Sequence, residues 1–246
     1  MSVDVPIPDG KKVTRLLLTV VVCLILLSVA GQVSKYYLGH ERLKGFVPAF
    51  YVDLESNVPT WYSSFALSLA GALLLVVAAC KVLRRDAYRY HWAALSALFF
   101  LLSVDEVAMF HEYPIYPLRE ALGAGGALYY TWVLPGVAFV AVVAISFWRF
   151  LRHLPARTRN GFLLAGAVFV GGAIGVEMLS GVQADRFGEE TFGYSLIITA
   201  EEFMEMLGVV LFIRAIIDYI DTRIGKLRLS ISPVRQSEPC EISCPT

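Results

Sequence analysis

The chain contains 246 residues, in which 21 Lys and Arg residues balance 21 Asp and Glu residues, so its formal net charge is zero. It is 57% hydrophobic, only 17% of its residues are charged and its mean hydropathy is +0.63, whereas a soluble domain carries about 25% charged residues. These values exclude an ordinary soluble domain, and the neutral balance offers no basic surface for nucleic acid.

Hydrophobic runs recur along the chain at lengths of about 18 residues or more, which predicts transmembrane helices. The predicted fold class is therefore all-α, a polytopic membrane bundle of six helices. In chain order the predicted spans are about residues 13–33, 61–83, 91–112, 129–151, 160–182 and 194–219. They form a transmembrane domain over residues 13–222, between a cytoplasmic N-terminal tail, 1–12, and a flexible cytoplasmic C-terminal tail, 223–246.

The positions of Lys and Arg predict how this bundle is oriented. Most basic residues lie in the N-terminal segment, between the second and third spans, between the fourth and fifth, and after the sixth. Only five of the 21 lie on the opposite side: Lys35, Arg42, Lys44, Arg119 and Arg186. Because basic residues concentrate in cytoplasmic loops, both termini are predicted to be cytoplasmic.

The first span has an alternative interpretation as a secretory signal. Lys11 and Lys12 precede an apolar run that ends in Ser28, Val29 and Ala30, as a signal peptide would. The apolar stretch is longer than a usual signal core, which favours a retained helix. Cleavage would leave five spans with the same outer face.

Six carboxylates interrupt the apolar spans, and they are the strongest indication of a functional site. They are Asp105 and Glu106 in the third span, Glu177 in the fifth, and Glu201, Glu202 and Glu205 in the sixth. An acid near the centre of a span costs at least ~2.5 kcal/mol, so six at random positions would be hard to insert. Measured from the predicted outer ends of the spans, all six lie about 8 to 16 Å deep, at 1.5 Å per residue.

Helical phase predicts that these acids face a common pocket. Asp105 and Glu112 are seven residues apart and are expected to share one face of the third span. Glu201 and Glu205 are four apart and share a face of the sixth. With His111 beside Glu112, the sequence predicts a polar pocket that opens toward the periplasm. The candidate metal ligands are Asp105, Glu106, His111, Glu112, Glu177, Glu201, Glu202 and Glu205.

Carboxylates with one histidine suit a divalent metal such as Mg, Ca, Mn or Fe. Helix-bundle di-metal proteins draw Glu and Glu-x-x-His ligands from facing helices; here Glu202 and Glu205 have the same spacing but lack the His. A bound metal could activate water or oxygen on an amphipathic, lipid-like substrate that enters from the outer leaflet. The chain lacks the G-x-x-x-x-G-K-[ST] phosphate-binding motif, and no nucleotide cofactor is expected.

Three alternatives to a metal site remain open at this point. Chains of intramembrane acids are typical of proton relays, so the chain could be a proton- or cation-coupled transporter. The inner halves of the spans, however, offer few polar steps beyond Ser96 and Ser103. The chain could also be a non-catalytic membrane subunit, or the acids could be purely structural, either paired with basic residues or protonated.

Three segments resemble a known group of proteins. They are residues 102–106 with 110–112, which give the pattern S-x-D-E-x4-H-E, residues 57–64, and residues 201–206, which give E-E-x-x-E-M. Together they resemble an uncharacterised group of bacterial six-span inner-membrane proteins. The resemblance implies the same architecture, a location in a bacterial inner membrane and the same acidic residues, and it implies no particular activity.

Overall fold

The computed structural model describes residues 2–5, 9–225, 227–230 and 242–243, and helices form most of it. In chain order the helices are α1 (Gly10–Leu38), α2 (Phe46–Phe50), α3 (Val58–Leu83), α4 (Arg89–Ala108), α5 (Ile115–Leu122), α6 (Val133–His153), α7 (Ala156–Val170), α8 (Glu177–Phe187) and α9 (Phe192–Tyr219). A π-helical segment, Gly171–Val176, joins α7 to α8, and a second one, Ile220–Ile224, follows α9. Short 3-10 turns lie at Leu43–Gly45, Phe110–Glu112 and Gly126–Leu128.

Five segments of the described chain are long and apolar enough to cross a membrane: Gly10–Leu38, Val58–Leu83, Arg89–Ala108, Val133–His153 and Ala156–Phe187. Helix α9 has 28 residues, but its acids and bases leave every 18-residue stretch of it with at least three charges. The prediction of a bundle containing several long apolar helices is confirmed. A sixth span and the sides on which the termini lie stay predictions.

Polar residues just before three of the long helices explain where these begin. The side chain of Asp9 accepts a hydrogen bond from the backbone N–H of Lys11 at the start of α1 (2.8 Å). Asn57 caps α3 in the same way through the N–H of Thr60 (3.1 Å), and Thr191 caps α9. Such caps satisfy N–H groups that have no partner inside the helix.

Helix α9 lies at the centre of the bundle, packed against α1, α3 and α7. Its close approach to α7 depends on glycine, because a Cβ atom on Gly208 would lie 2.8 Å from the backbone nitrogen of Phe169. The core is formed by large side chains that are almost wholly inaccessible to solvent, among them Leu74, Trp92, Phe150, Met206 and Ile213. The central position keeps the acids of α9 inside the protein.

The helix boundaries correct two expectations about the acids. Helix α4 ends at Ala108 rather than Glu112, because Met109 adopts a left-handed backbone conformation (φ 54°) and its N–H bonds to the carbonyl of Asp105 (2.7 Å). The prediction that Asp105 and Glu112 share a helix face is therefore wrong. The depth predicted for Glu177 also changes, because it was counted from an expected helix end at residue 182. In the structure α8 continues to Phe187, so the predicted common depth of the acids no longer holds.

The two ends of the chain contribute a small antiparallel sheet of three strands, β1 (Ser2–Val5), β2 (Leu227–Ser230) and β3 (Ile242–Ser243), in the order β1-β2-β3. The sequence did not predict these strands. The predicted flexible tail, 223–246, includes residues 226, 231–241 and 244–246, which lie outside those described.

Candidate functional site

A cavity of about 810 Å³ extends between α4, α6, the α7–α8 helix and α9. All eight residues singled out in the sequence line it: Asp105, Glu106, His111, Glu112, Glu177, Glu201, Glu202 and Glu205. The polar side chains lie toward the end formed by α5 and the loops before α3 and α9. The rest of the wall is apolar. The structure thus gathers the predicted residues around one space, although the predicted depths and helix face were not correct in detail.

The turn after α4 forms a hydrogen-bonded pair between Asp105 and His111. The left-handed Met109 brings the chain back, so that the N–H of His111 donates to Oδ1 of Asp105 (3.1 Å). The ring nitrogen Nδ1 of His111 lies 2.7 Å from Oδ2 of the same carboxylate. The ring also packs edge-on against Trp132, with 4.9 Å between centroids. Because Asp105 engages Nδ1, Nε2 is the ring nitrogen left for a ligand in the cavity.

Two opposing effects act on the His111 imidazole. Burial alone would lower its pKa, but the hydrogen bond and the negative charge of Asp105 outweigh burial and raise the pKa above its usual value. Glu112 and Glu106 add to the rise. The imidazole is therefore held in a fixed orientation and binds a proton more tightly than a free histidine.

Glu177 and Glu201 form a second pair, across the contact between α8 and α9. The indole N–H of Trp132 donates to Oε1 of Glu177 (3.0 Å), and the carboxyl of Glu201 interacts directly with that of Glu177. Glu201 is only 6% exposed, and its Oε2 has no hydrogen-bond partner among the described residues. A buried polar atom without a partner is rare in native proteins, so this oxygen is a candidate for binding a ligand.

The close approach of these two helices requires Gly172. A Cβ atom there would lie 2.9 Å from the backbone oxygen of Glu201 and 3.2 Å from Cγ of Glu205. Gly172 belongs to the π-helical segment, and such widened turns are frequent at functional sites. The widened turn and the glycine together set Glu201 and Glu205 against the start of α8.

Few basic side chains are available to neutralise the acids of the cavity. Only His111 and Arg119 are basic among the lining residues. The Nε–H of Arg119 donates to the carbonyl of Tyr129 (2.6 Å), and its guanidinium lies over the Tyr129 ring, 3.6 Å from the centroid. In the part of the chain that the structure describes, no glutamate of the cavity forms an ion pair with Lys or Arg.

Three acids of the cavity were missed in the sequence: Asp53, Glu55 and Glu189. Burial, reinforced by the charge of Glu189, raises the pKa of Asp53 to about 6 despite the nearby Tyr194 and Tyr51 hydroxyls and Lys35. Burial also raises the pKa of Glu55, which accepts a hydrogen bond from the Thr60 hydroxyl (3.2 Å). The signal for Asp53 and Glu55 was a pair of acids just before the start of α3, and Glu189 lies just before the start of α9.

Tyrosine hydroxyls extend the polar end of the cavity. The Tyr130 hydroxyl donates to Oε1 of Glu189 (3.0 Å) and lies 2.7 Å from the Tyr194 hydroxyl. Tyr130 and Tyr194 both line the cavity. Tyr130 and Trp132 thus both contact acids of the cavity directly.

Within the described ranges, no three His, Cys, Asp or Glu side chains are arranged closely enough to hold a metal ion. Searches of curated proteins and of solved structures found no match to the chain. One family model matches residues 14–219, which include every helix that lines the cavity. The chain therefore belongs to the DUF8692 family, a domain of unknown function.

Proposed function

We propose that the chain is an integral protein of a bacterial inner membrane that binds a divalent metal ion in its acidic cavity and acts on an amphipathic molecule there. The observation that carries this proposal is the buried, unpartnered Oε2 of Glu201, directly beside the carboxyl of Glu177. Neighbouring carboxylates in a poorly solvated space repel one another, and a bound cation relieves that repulsion.

His111 and the glutamates have the ligand chemistry that suits a hard or borderline cation such as Mg, Ca, Mn or Fe. Asp105 would orient the ring through Nδ1 rather than bind the metal itself, as carboxylates commonly do for metal-bound histidines. Since the carboxylates are not gathered tightly in the described residues, binding requires rotations of the Glu106, Glu202 and Glu205 side chains toward the ion.

The proposed topology has six spans, with both termini in the cytoplasm and the acidic end of the cavity facing the periplasm. Five helices meet the length and apolarity of a span, and α9 is the proposed sixth. The central position of α9 supports this assignment, because α1, α3 and α7 shield it from lipid. Intramembrane acids generally face the interior of a bundle or a cavity.

Proton- or cation-coupled transport is the less supported alternative. The two serines that could have continued a polar path form hydrogen bonds between helices instead. The hydroxyl of Ser96 donates to the carbonyl of Gly71 (2.8 Å), and that of Ser103 donates to the carbonyl of Ser64 (2.8 Å). Neither serine lines the cavity, whose inner part is apolar. We therefore expect no proton flux through the protein.

Elemental analysis of the detergent-purified protein tests this proposal. The wild type, Glu201→Gln and Glu205→Gln are compared with Glu190→Gln, which changes an exposed glutamate outside the cavity. About one metal ion per chain is expected in the wild type and in Glu190→Gln, with loss in the other two. A wild type without metal, after growth and dialysis with each candidate metal, would overturn the proposal. Proton-flux measurements in liposomes would then test the alternative.

A further inference from the structure

The cavity has a long apolar part that the metal-binding proposal does not use. We call this part the apolar arm and define it by Phe99, Phe139, Val143, Phe147, Phe162 and Phe169, which all line the cavity. The lining residues of α6 run from Gly136 to beyond Phe150, which corresponds to about 21 Å along the helix at 1.5 Å per residue. The arm therefore extends most of the way along a membrane-spanning helix.

Helix α6 is held at its ends and stands away from its neighbours in the middle. At one end the Thr131 hydroxyl donates to the carbonyl of Ile115 (2.7 Å), and Val133 is 2% exposed. At the other end Phe150 is fully buried and packs edge-on against Trp92, with 5.0 Å between centroids. Only 11% of the apolar stretch of α6 is buried inside the protein.

The middle of α6 nevertheless presents an apolar stripe to the cavity. Phe139, Val140, Val143, Ala144 and Phe147 recur at intervals of three and four residues, which places them on one helix face. A different face carries exposed Val142, Ile145 and Trp148, as expected for contact with lipid tails. Protein interiors are normally filled to the density of organic crystals, so an apolar space of this length indicates that another molecule fills it.

The cavity is open to the side between α6 and α7. Phe139 of α6 and Leu163 of α7 both line it, yet each is 49% exposed. Gly166 lines the same opening, and no atom lies within 4 Å of the position that a Cβ atom would take there. A hydrocarbon chain can therefore enter laterally from the bilayer.

The carboxylates at the acidic end of the cavity favour a bound molecule whose head group is positively charged. Ten carboxylates line the whole cavity: Asp53, Glu55, Asp105, Glu106, Glu112, Glu177, Glu189, Glu201, Glu202 and Glu205. Arg119 and His111 are the basic lining residues, and each already has a partner. One divalent ion would leave most of these carboxylates without a counterion, so an amine would be complementary in charge and would donate hydrogen bonds to carboxylate oxygens, whereas an anionic head group would be repelled.

We infer that the cavity binds an amphipath with one long hydrocarbon chain, which lies in the apolar arm, and an amino head group, which lies among the carboxylates. The volume of about 810 Å³ is within the range of roughly 300–1,000 Å³ for pockets that hold a single small molecule. This inference rests on the proposed function, since it names the class of substrate for the same cavity.

Photo-crosslinking in phosphatidylcholine liposomes tests the inference. The probe is hexadecylamine with a diazirine at the end of its chain, and mass spectrometry locates the labelled residues. We expect labelling of the stripe that contains Val143 and Phe147, reduced about tenfold by excess hexadecylamine but not by hexadecanoic acid. Labelling confined to Ile145 and Trp148, or equal displacement by the fatty acid, would overturn the inference.

A substitution in the protein, Gly166→Phe, provides a second test, with Gly175→Phe as the matched control. Neither glycine has an atom within 4 Å of its Cβ position, but only Gly166 lines the cavity. Gly166→Phe is expected to reduce labelling of the arm about tenfold and to leave the metal content unchanged. Unchanged labelling would contradict the inference. Absence of metal in a protein that is still labelled in the arm would overturn only the metal-binding proposal.

Discussion

The acidic residues near the two ends of α9 differ in whether they have a basic partner. At the end nearer its start, Glu201 is buried with an unpartnered oxygen, and Glu202 and Glu205 have no basic partner among the described residues. At the other end, Asp218 accepts from Nη2 of Arg157 (3.0 Å) and also pairs with Arg214 (3.0 Å). The same helix therefore carries one neutralised acid and one group of acids without counterions. The comparison indicates that the missing counterion is specific to the cavity.

The largest expected effect comes from changing how closely α9 approaches its neighbours at each end. A Cβ atom at Gly172 would lie 2.9 Å from the backbone oxygen of Glu201, and one at Gly161 would lie 2.9 Å from Cβ of Ala215. We expect Gly172→Ala and Gly161→Ala each to destabilise the protein by about 1–3 kcal/mol, because the helices must separate. Only Gly172→Ala should also weaken metal binding, by about tenfold.

Thermal unfolding in detergent and metal titration would measure these two effects. Gly175→Ala is the control, because nothing lies within 4 Å of its Cβ position. Equal loss of metal affinity in Gly161→Ala would show that general destabilisation, rather than the geometry around Glu201, controls binding.

Removing one acid from each end should change stability in opposite directions. With EDTA present at pH 8, Glu201→Gln should stabilise the protein by about 2 kcal/mol, since burial penalises the ionised carboxyl that the unfolded chain carries at this pH and an amide has no such penalty. Asp218→Asn should destabilise it by about 1 kcal/mol, since two arginines at a partly exposed site lose their shared partner. Melting temperatures of the two variants and the wild type would show whether the two substitutions change stability in opposite directions. Destabilisation by both substitutions would remove the distinction between the two ends.

The pH dependence of stability provides a test at Asp53, outside the predicted spans. Its pKa in the folded protein is about 6, above the ordinary 3.8, so the folded state binds this proton more tightly than the unfolded state. The stabilising contribution is complete below pH 3.8 and is lost as the pH rises through 6. Asp53→Asn should therefore stabilise the protein by about 2 kcal/mol at pH 7 and by little at pH 4, in EDTA. A gain that does not depend on pH would contradict this assignment.

The smallest effect is expected at the surface pair formed by Lys35 and Glu190. Their charged atoms lie 2.6 Å apart, but the Glu190 side chain is 82% exposed. Glu190→Gln should change the free energy of unfolding by less than about 0.5 kcal/mol, because solvent screens such pairs. A change as large as that of Glu201→Gln would show that an exposed acid and a buried acid contribute equally to the free energy of unfolding.

The sequence predicted seven acids and one histidine that line the cavity, but it missed Asp53, Glu55 and Glu189 and misjudged how the residues come together. Acids within apolar runs were a reliable signal, because their insertion cost is a property of the residue and its immediate neighbours. The predicted face shared by Asp105 and Glu112 assumed an unbroken helix. The left-handed backbone at Met109 ends α4 early and creates the Asp105–His111 contact instead. Non-glycine residues seldom adopt this conformation, and nothing in the local pattern marked it.

Sequence by itself determined the helical architecture with its several long apolar helices, because the length and periodicity of apolar runs report energies that are local to each segment. Tertiary structure alone decided that Asp53 and Glu55 line the cavity and that the middle of α6 faces an open space. It also decided that Arg119 is hydrogen-bonded to the carbonyl of Tyr129. These features depend on contacts between segments far apart in the chain, as between Gly172 and Glu201, where the space left by one missing side chain sets the position of another helix.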